Sequence, residues 1–345
     1  MSTPRLWIDL DNSPHVPLFA PLIRHLESRG WELVVTARDF AQTLDLVEQL
    51  GVPAIAVGRH AGRNKLRKVA NLPVRALQLV RTVRAFAPQI ALSHGSRTQV
   101  IAARMLGIPS IVMFDYEWTE MEIFRRLAAR LLCPDAIGED RLREAGIPVE
   151  KVSWYEGFKE DLYLPGFRPD PGFRSMLGVG EDELLVTVRP PGLIGNYHDE
   201  RSEAICRELL GRLSGTAGAT VVVLPKTRLE RELVASALPE HPASRVIVPE
   251  RALPGLDLLF ASDVAISGGG TMNRESALLG VPTWSMFTGR RAAIDEELAR
   301  RGLLGFLEKP EDLDGVAFER RTRTGDWAPG GPRLLYDIEN MIRTF

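Results

Sequence analysis

Apolar residues along this chain alternate between short unbroken runs and stretches with helical spacing. The runs at 6–10, 31–36, 52–57, 89–93 and 109–114 read as strands. After the first of these, Leu18, Leu22, Ile23 and Leu26 recur every three or four positions and predict a helix over 16–29, closed by Gly30. Further helices are predicted at 40–50, 63–86 (interrupted at Pro73), 98–106 and 119–132. The rhythm fails between 154 and 178, where Pro165, Gly166, Pro169, Pro171 and Gly172 cluster. It then restarts, with strands at 184–188, 220–224, 245–248, 264–266 and 283–287. Helices at 200–213, 228–238, 256–261, 271–280 and 292–301 separate and follow them, and a last helix at 334–342 comes after the Gly/Pro cluster at 328–332. Strands alternating with helices at this spacing imply parallel sheets covered on both faces. The expected fold class is therefore α/β, with two Rossmann-like, doubly wound domains. The boundaries read as 1–160 and 179–330, joined by a linker at 161–178, with residues 331–345 forming a C-terminal helix.

Composition narrows this picture without redirecting it. The 345 residues are 45% hydrophobic and 26% charged, ordinary for a globular chain with two cores. A net charge of -2 leaves no overall nucleic-acid footprint, so no nucleic-acid partner is expected. Cys133 and Cys206 stand far apart and in no ligand spacing, which argues against a disulfide framework and for a reducing compartment. The N-terminus has no apolar leader and no run is long enough to span a bilayer, so a cytoplasmic location is expected. One segment departs from the average. Residues 59–88 carry Arg59, Arg63, Lys65, Arg67, Lys68, Arg75, Arg81 and Arg84 and no acid. They read as a solvated basic helix face, and alternatively as a surface for an anionic acceptor or the inner face of a membrane.

In open α/β sheets ligands bind beyond the carboxyl ends of the strands, so the residues following each strand are the ones to inspect. The most specific such stretch is Ser267-Gly268-Gly269-Gly270-Thr271, followed by Asn273 and Glu275. Three glycines permit positive φ and close approach of backbone to ligand, and the helix they open offers an anion site, with Thr271 a candidate N-cap. Glu275, about one turn further on, could reach a hydroxyl beside that anion. A diphosphate followed by a ribose fits. Arg189 and Lys226, after two other strands of the second half, are candidates to neutralise phosphate oxygens. In the first half, Asn12 and His15 follow the first strand, His94 and Ser96 the fourth, and Asp115 the fifth. His15 is the candidate general base, with His94 and Asp115 as further candidate catalytic residues. The pair Asp9 and Asp11 after an apolar strand also resembles the nucleophile pair of haloacid-dehalogenase-like phosphatases, but no acidic pair follows the late strand.

The motif 267–275, ending in Leu279-Gly280-Val281-Pro282, resembles the nucleotide-binding region of GT-B-fold sugar-nucleotide enzymes. These include UDP-N-acetylglucosamine 2-epimerase and the N-acetylglucosaminyltransferase of peptidoglycan synthesis. The resemblance implies that Gly269, Gly270 and Thr271 contact a diphosphate and Glu275 the ribose hydroxyls. The segment 15–31 is similar to the transferase's His-Val-x-Pro helix start, without its preceding double-glycine loop. Residues 93–96 resemble the epimerase's His-Gly-Asp segment with Ser96 in place of the acid, and Asp115 falls near another epimerase acid. The 189–194 stretch does not reproduce the epimerase's His-Arg-Arg-Glu-Asn. Taken whole, the chain resembles a bacterial and archaeal GT-B-like family catalogued as a domain of unknown function. That likeness implies two domains facing across a cleft, a last helix crossing back to the first domain, and a nucleotide-diphosphate sugar donor, UDP-linked. A glycosyltransferase is the expected activity, with an epimerase or hydrolase on the same donor and a non-catalytic binding protein as alternatives. GT-B relatives generally need no metal, so neither metal nor cofactor is expected.

Overall fold

The computed structural model describes residues 3–40, 42–59, 65–193, 199–323 and 333–345, with residues 65–71 described in backbone only. Arg63, the side chains of Lys65, Arg67 and Lys68, the 194–198 part of the loop after Arg189, and the 328–332 cluster lie outside that description. The chain divides into two compact units. The first comprises Met1–Gly166, Ala292–Ile294 and Gly330–Phe345, the second Phe167–Arg291 and Asp295–Pro329.

The first unit runs β1 (Arg5–Leu10), α1 (His15–Ser28), β2 (Glu32–Asp39), α2 (Thr43–Gln49), β3 (Ala54–Arg59), α3 (Lys65–Val83), β4 (Ile90–His94), α4 (Arg97–Leu106), β5 (Ser110–Met113), α5 (Glu122–Leu127), β6 (Arg130–Pro134), α6 (Glu139–Glu144) and β7 (Val152–Tyr155). All pairings in its sheet are parallel and the spatial order is β3-β2-β1-β4-β5-β6-β7. The order reverses direction between β1 and β4, which is where a crevice opens in such sheets. Trp7, Ile8 and Leu10 on β1 are fully buried, as are Phe19, Leu22 and Leu26 on α1. Burying such a side chain contributes about 1.5–3 kcal/mol, enough to seat α1 on the sheet despite Pro21 inside it.

Two elements correct the sequence reading. The helix expected through 132 ends at Leu127, and Leu131, Leu132 and Cys133 form the buried strand β6. A short apolar run fully covered on both faces lacks the alternation that would have marked it as a strand. Across the expected boundary between the first domain and the linker, Lys159–Leu162 and Leu164–Gly166 form 3-10 turns, and the first packs against α1. Lys159, Glu160, Asp161, Leu162 and Leu164 are all buried there.

The second unit contains α7 (Phe173–Met176), β8 (Leu184–Arg189), α8 (Glu200–Ser214), β9 (Ala219–Val223), α9 (Arg228–Ala237), β10 (Arg245–Ile247), α10 (Gly255–Ala261), β11 (Val264–Ser267), α11 (Thr271–Leu278), β12 (Thr283–Ser285), α12 (Ala293–Arg300, its first two residues counted with the first unit) and β13 (Leu304–Phe306). Its sheet is also parallel, in the order β10-β9-β8-β11-β12-β13, reversing between β8 and β11. Val186, Val188, Leu209, Leu213, Val221, Val223 and Ile266 form the core on one face of this sheet.

The last helix, α13 (Arg333–Arg343), packs in the first unit against α1 and β7. Its anchor is Glu339, 1% exposed, which accepts from Trp31 Nε1 at 3.3 Å, Arg29 Nε at 3.2 Å and Arg343 Nη2 at 2.7 Å. His25 Nε2 lies 2.8 Å from the same carboxylate. Among the described residues no helix is long and apolar enough to cross a membrane.

Candidate functional site

Each unit gathers its titratable groups at the point where its strand order reverses. In the first unit, β1 ends in the loop 11–14 and α1 opens at His15. Asn12 Oδ1 accepts from Ser13 N at 2.9 Å and Asn12 O from His15 N at 2.9 Å, so Asn12 shapes the loop through its own side chain. His94 closes β4, and its ring lies 5.2 Å from that of His15, centroid to centroid. Asp115, just beyond β5, places Oδ1 3.4 Å from His94 Nε2 and accepts from Lys159 Nζ on its other oxygen. Glu160 Oε1 is 3.7 Å from the same ammonium. The structure thus brings together His15, His94 and Asp115, and adds Lys159 to them. Lys159 was missed because it lies in the stretch 154–178 where the strand–helix rhythm breaks down. It does follow β7, and the strand-end rule would have found it had that edge strand been recognised.

His15 Nδ1 is buried and has no hydrogen-bond partner among the described residues. Burial, then the neighbouring His94 and Lys159, push its pKa well below the usual histidine range against a smaller opposing pull from Asp115. The ring is therefore neutral at physiological pH and able to accept a proton. Close by, Glu117 is buried and accepts at 2.9 Å from the N–H of Ala293, a residue of this same unit.

Ser96 belongs elsewhere in the site than on its rim. It is fully buried, caps α4 by accepting from Gln99 N at 3.2 Å, and donates to Asp9 Oδ2 at 2.6 Å. Asp9 also accepts from Thr36 Oγ1 at 2.6 Å and pairs with Arg75 Nη2 at 2.9 Å. A carboxylate so engaged is no free nucleophile, so the phosphatase-like pattern of Asp9 and Asp11 has a structural origin. Arg75, expected on a solvated basic face, is instead fully buried. The signal was present: Leu72, Arg75, Ala76, Leu79 and Val83 share one helical stripe, and Ala76, Leu79 and Val83 are core residues. Asp11, crowded by burial and by Asp9 against the pull of Arg75 and Arg38, has its carboxyl raised to about 6.

In the second unit β8 and β11 pair with Arg189 opposite Ser267, and Gly268 N donates to Arg189 O at 3.0 Å. The three glycines serve different ends. Gly268 has no positive φ; a Cβ there would stand 2.4 Å from Pro191 Cα, so this glycine is required by close approach of the segment that follows β8. Gly269 and Gly270 have φ of +97° and +89°, conformations that L side chains rarely adopt. The N-cap of α11 is Gly270, not Thr271, which is the first helical residue. No side chain caps this helix start, a terminus of the kind that suits an anion, while Asn273 N turns back to donate to Gly270 O at 3.1 Å. Ser267 Oγ accepts from Gly269 N at 3.1 Å and donates to Asn273 Oδ1 at 2.5 Å, while the Asn273 amide nitrogen, buried, has no partner among the described residues. Asn273 thereby holds the turn.

Glu275 and the buried Glu230 lie near Arg189, whose pKa is lowered by burial and raised in part by these two acids. Burial pushes the Glu230 carboxyl up, opposed by hydrogen bonds at Thr227 and by Arg189. Its Oε2 accepts from Lys226 N at 2.5 Å, so Glu230 fixes the loop that carries Lys226, whose side chain is exposed. The chemistry of this half is an uncapped helix start with an arginine at one side and a carboxylate one turn in.

Residues 5–316 match the family described as a protein of unknown function, DUF354. The chain belongs to that family. An uncharacterized protein of Methanocaldococcus jannaschii is 29% identical over 305 residues, covering 86% of this chain and 85% of its own length. Among solved structures, the Neisseria meningitidis UDP-GlcNAc 2-epimerase bound to UDP-GlcNAc superposes with a TM-score of 0.77 at 14% identity, covering 99% of this chain and 100% of that one. The M. jannaschii UDP-GlcNAc 2-epimerase in complex with UDP-GlcNAc and UDP gives 0.75 at 15% identity, over 99% and 100%. A kitacinnamycin glycosyltransferase gives 0.55 at 16% identity, over 99% and 95%. At these identities the likeness is one of fold, and the fold of this DUF354 chain is GT-B, built of two Rossmann-like parallel-sheet units.

Proposed function

We propose that this chain is a sugar-nucleotide enzyme, the second unit holding the diphosphate of a UDP-linked sugar and the first supplying acid–base groups. The observation that carries the reading is the uncapped glycine-rich start of α11 beside Arg189, at the switch point of the second sheet. A diphosphate there would meet the helix N–H groups and a guanidinium, with Glu275 available to the ribose hydroxyls. The epimerase relatives bound to UDP-GlcNAc and UDP support the choice of nucleotide.

The reaction we infer is glycosyl transfer. The acceptor hydroxyl attacks the anomeric carbon while neutral His15 takes its proton, and the bond from that carbon to the diphosphate oxygen breaks. The negative charge left on the diphosphate is met by the helix start and Arg189, which is where such a transition state gains most. Asp115 and Lys159 orient His94 beside His15. The second reading is epimerisation at the sugar C2, favoured by the length-wide likeness to 2-epimerases. Against it, Ser96 stands where that chemistry has an acid, and its hydroxyl is spent on Asp9 and the α4 cap.

A thermal-shift series with UDP, GDP, ADP and dTDP, free and sugar-linked, tests the donor site. Ligand at a hundredfold its Kd stabilises by about 2.7 kcal/mol, so the preferred nucleotide should raise the midpoint by several degrees. No shift with any of them overturns the reading. With the preferred donor in D2O, UDP release that requires an acceptor marks transfer, and deuterium at C2 marks epimerisation.

A further inference from the structure

We propose that Arg75 is a positioning residue that holds the two loops bearing His15 and His94 in register; this rests on reading the first unit as the acid–base half.

The guanidinium comes from the middle of α3, crosses to the carboxyl end of the sheet and is fully buried. Its fork is bidentate on Asp9, with Nη1 2.9 Å from Oδ2 and Nη2 2.9 Å from Oδ1. Nε donates to Val57 O at 3.0 Å, Nη1 to Thr98 Oγ1, and Nη1 also lies 3.1 Å from Asp11 Oδ1. One side chain therefore touches the end of β1, the loop after it, β3 and the first turn of α4. The carboxylate it grips is itself held by Thr36 from β2 and by Ser96, the α4 cap. The backbone makes room for it: a Cβ at Gly58 would stand 2.9 Å from Arg75 Cγ.

The histidines lie immediately beyond these fixed points. His94 is two residues before Ser96, and His15 opens the helix after Asp11. A buried ion pair is a weak source of stability, since well-packed apolar residues of similar volume often do as well. What a bidentate fork does that apolar packing does not is fix direction and distance between the groups it joins. Lysine at this position would keep the charge and lose the fork.

The test reads ring geometry and turnover separately. In protein with 13C-labelled histidine rings, His15→Gln and His94→Gln assign the two resonances. In Arg75→Lys we expect a native far-UV spectrum, loss of the ring-to-ring contact between His15 and His94, and a His15 titration moved toward the ordinary histidine range. With the preferred donor, kcat should fall by about 10²-fold, the penalty of an ångström-scale misplacement, while the Kd for UDP is unchanged. If Arg75→Lys lowers the melting temperature but leaves the ring contact and both titrations as they were, the residue is structural only and the proposal fails. Should Arg75→Lys not fold, Thr36→Val removes one hydrogen bond from Asp9 and should move the same ring signals in the same direction; unchanged signals there overturn the proposal equally. If His15→Gln and His94→Gln leave turnover intact, the acid–base reading is what has failed, and the ring measurements still decide the role of Arg75.

Discussion

Gly268→Ala is the substitution that best separates steric from conformational need in the glycine-rich turn. The added methyl would sit 2.4 Å from Pro191 Cα, 3.0 Å from Pro191 N and 3.1 Å from Pro191 Cβ. Carbon atoms rest at about 3.5–4.0 Å, so the nearest contact is too close by more than an ångström. The obstacle is proline backbone following a second proline, and the Gly268 N to Arg189 O hydrogen bond of 3.0 Å ties the two segments together. Neither side can yield without pulling β8 away from β11. Overpacking costs about 1–3 kcal/mol, and with backbone as the obstacle the upper figure applies. At roughly 2–4 °C per kcal/mol for a unit of this size, the second unit should melt about 6–12 °C lower, and UDP affinity should fall with it. Gly270→Ala is the companion: nothing lies within 4 Å of the new methyl, but φ of +89° with ψ of -160° is a conformation essentially confined to glycine. Its cost is conformational, about 1–3 kcal/mol, and falls on the helix start itself. Differential scanning calorimetry with and without UDP measures both. A Gly268→Ala protein that melts and binds UDP like the parent would refute the close-approach argument.

Glu275→Ala should weaken UDP binding by about tenfold, the loss of one or two hydrogen bonds to ribose; titration calorimetry decides, and unchanged affinity would remove Glu275 from the site. For Glu339, burial alone would raise the carboxyl pKa, but hydrogen bonds from Arg343, His25 and Trp31 and the charge of Arg29 outweigh it and hold it at about 2, against an ordinary 4.5. A depressed carboxylate contributes stability that is present above about 4.5 and is lost as pH falls toward about 2, here at most about 3 kcal/mol. Glu339→Gln should therefore flatten the stability profile in that window and expose α13 to limited proteolysis at neutral pH; a variant with the parent's profile would show the anchor to be unimportant. The proposed transfer meets the leaving diphosphate with a helix start and Arg189, so EDTA should leave turnover unchanged. Activity lost to EDTA and restored by Mg²⁺ would put a cation into the mechanism.

Much of the architecture is written locally in this chain. Apolar runs of strand length separated by helical stripes are enough to establish two parallel, doubly wound sheets, because each period follows from the geometry of a single element. The glycine-rich turn was legible for the same reason: backbone freedom is a property of the residue itself. Even there the division of tasks was not visible, since Gly268 answers to Pro191, distant in the chain, while Gly270 answers to its own φ. Strand β6 was hidden because a run buried on both faces carries no alternation. Arg75 and Lys159 needed the tertiary structure in a stronger sense. A charged residue on an apolar stripe, or in a stretch rich in proline and glycine, is read as solvated unless its partner is known. The partners, Asp9 on β1 and Asp115 just beyond β5, lie far away in the chain. The sequence alone determined most of the secondary elements, the two sheets and one glycine-rich turn, all of which depend on near neighbours. Which charges are buried, which histidine is desolvated and which groups meet at the switch points were decided only by the fold, because desolvation and ion pairing act through space between residues that the chain keeps far apart.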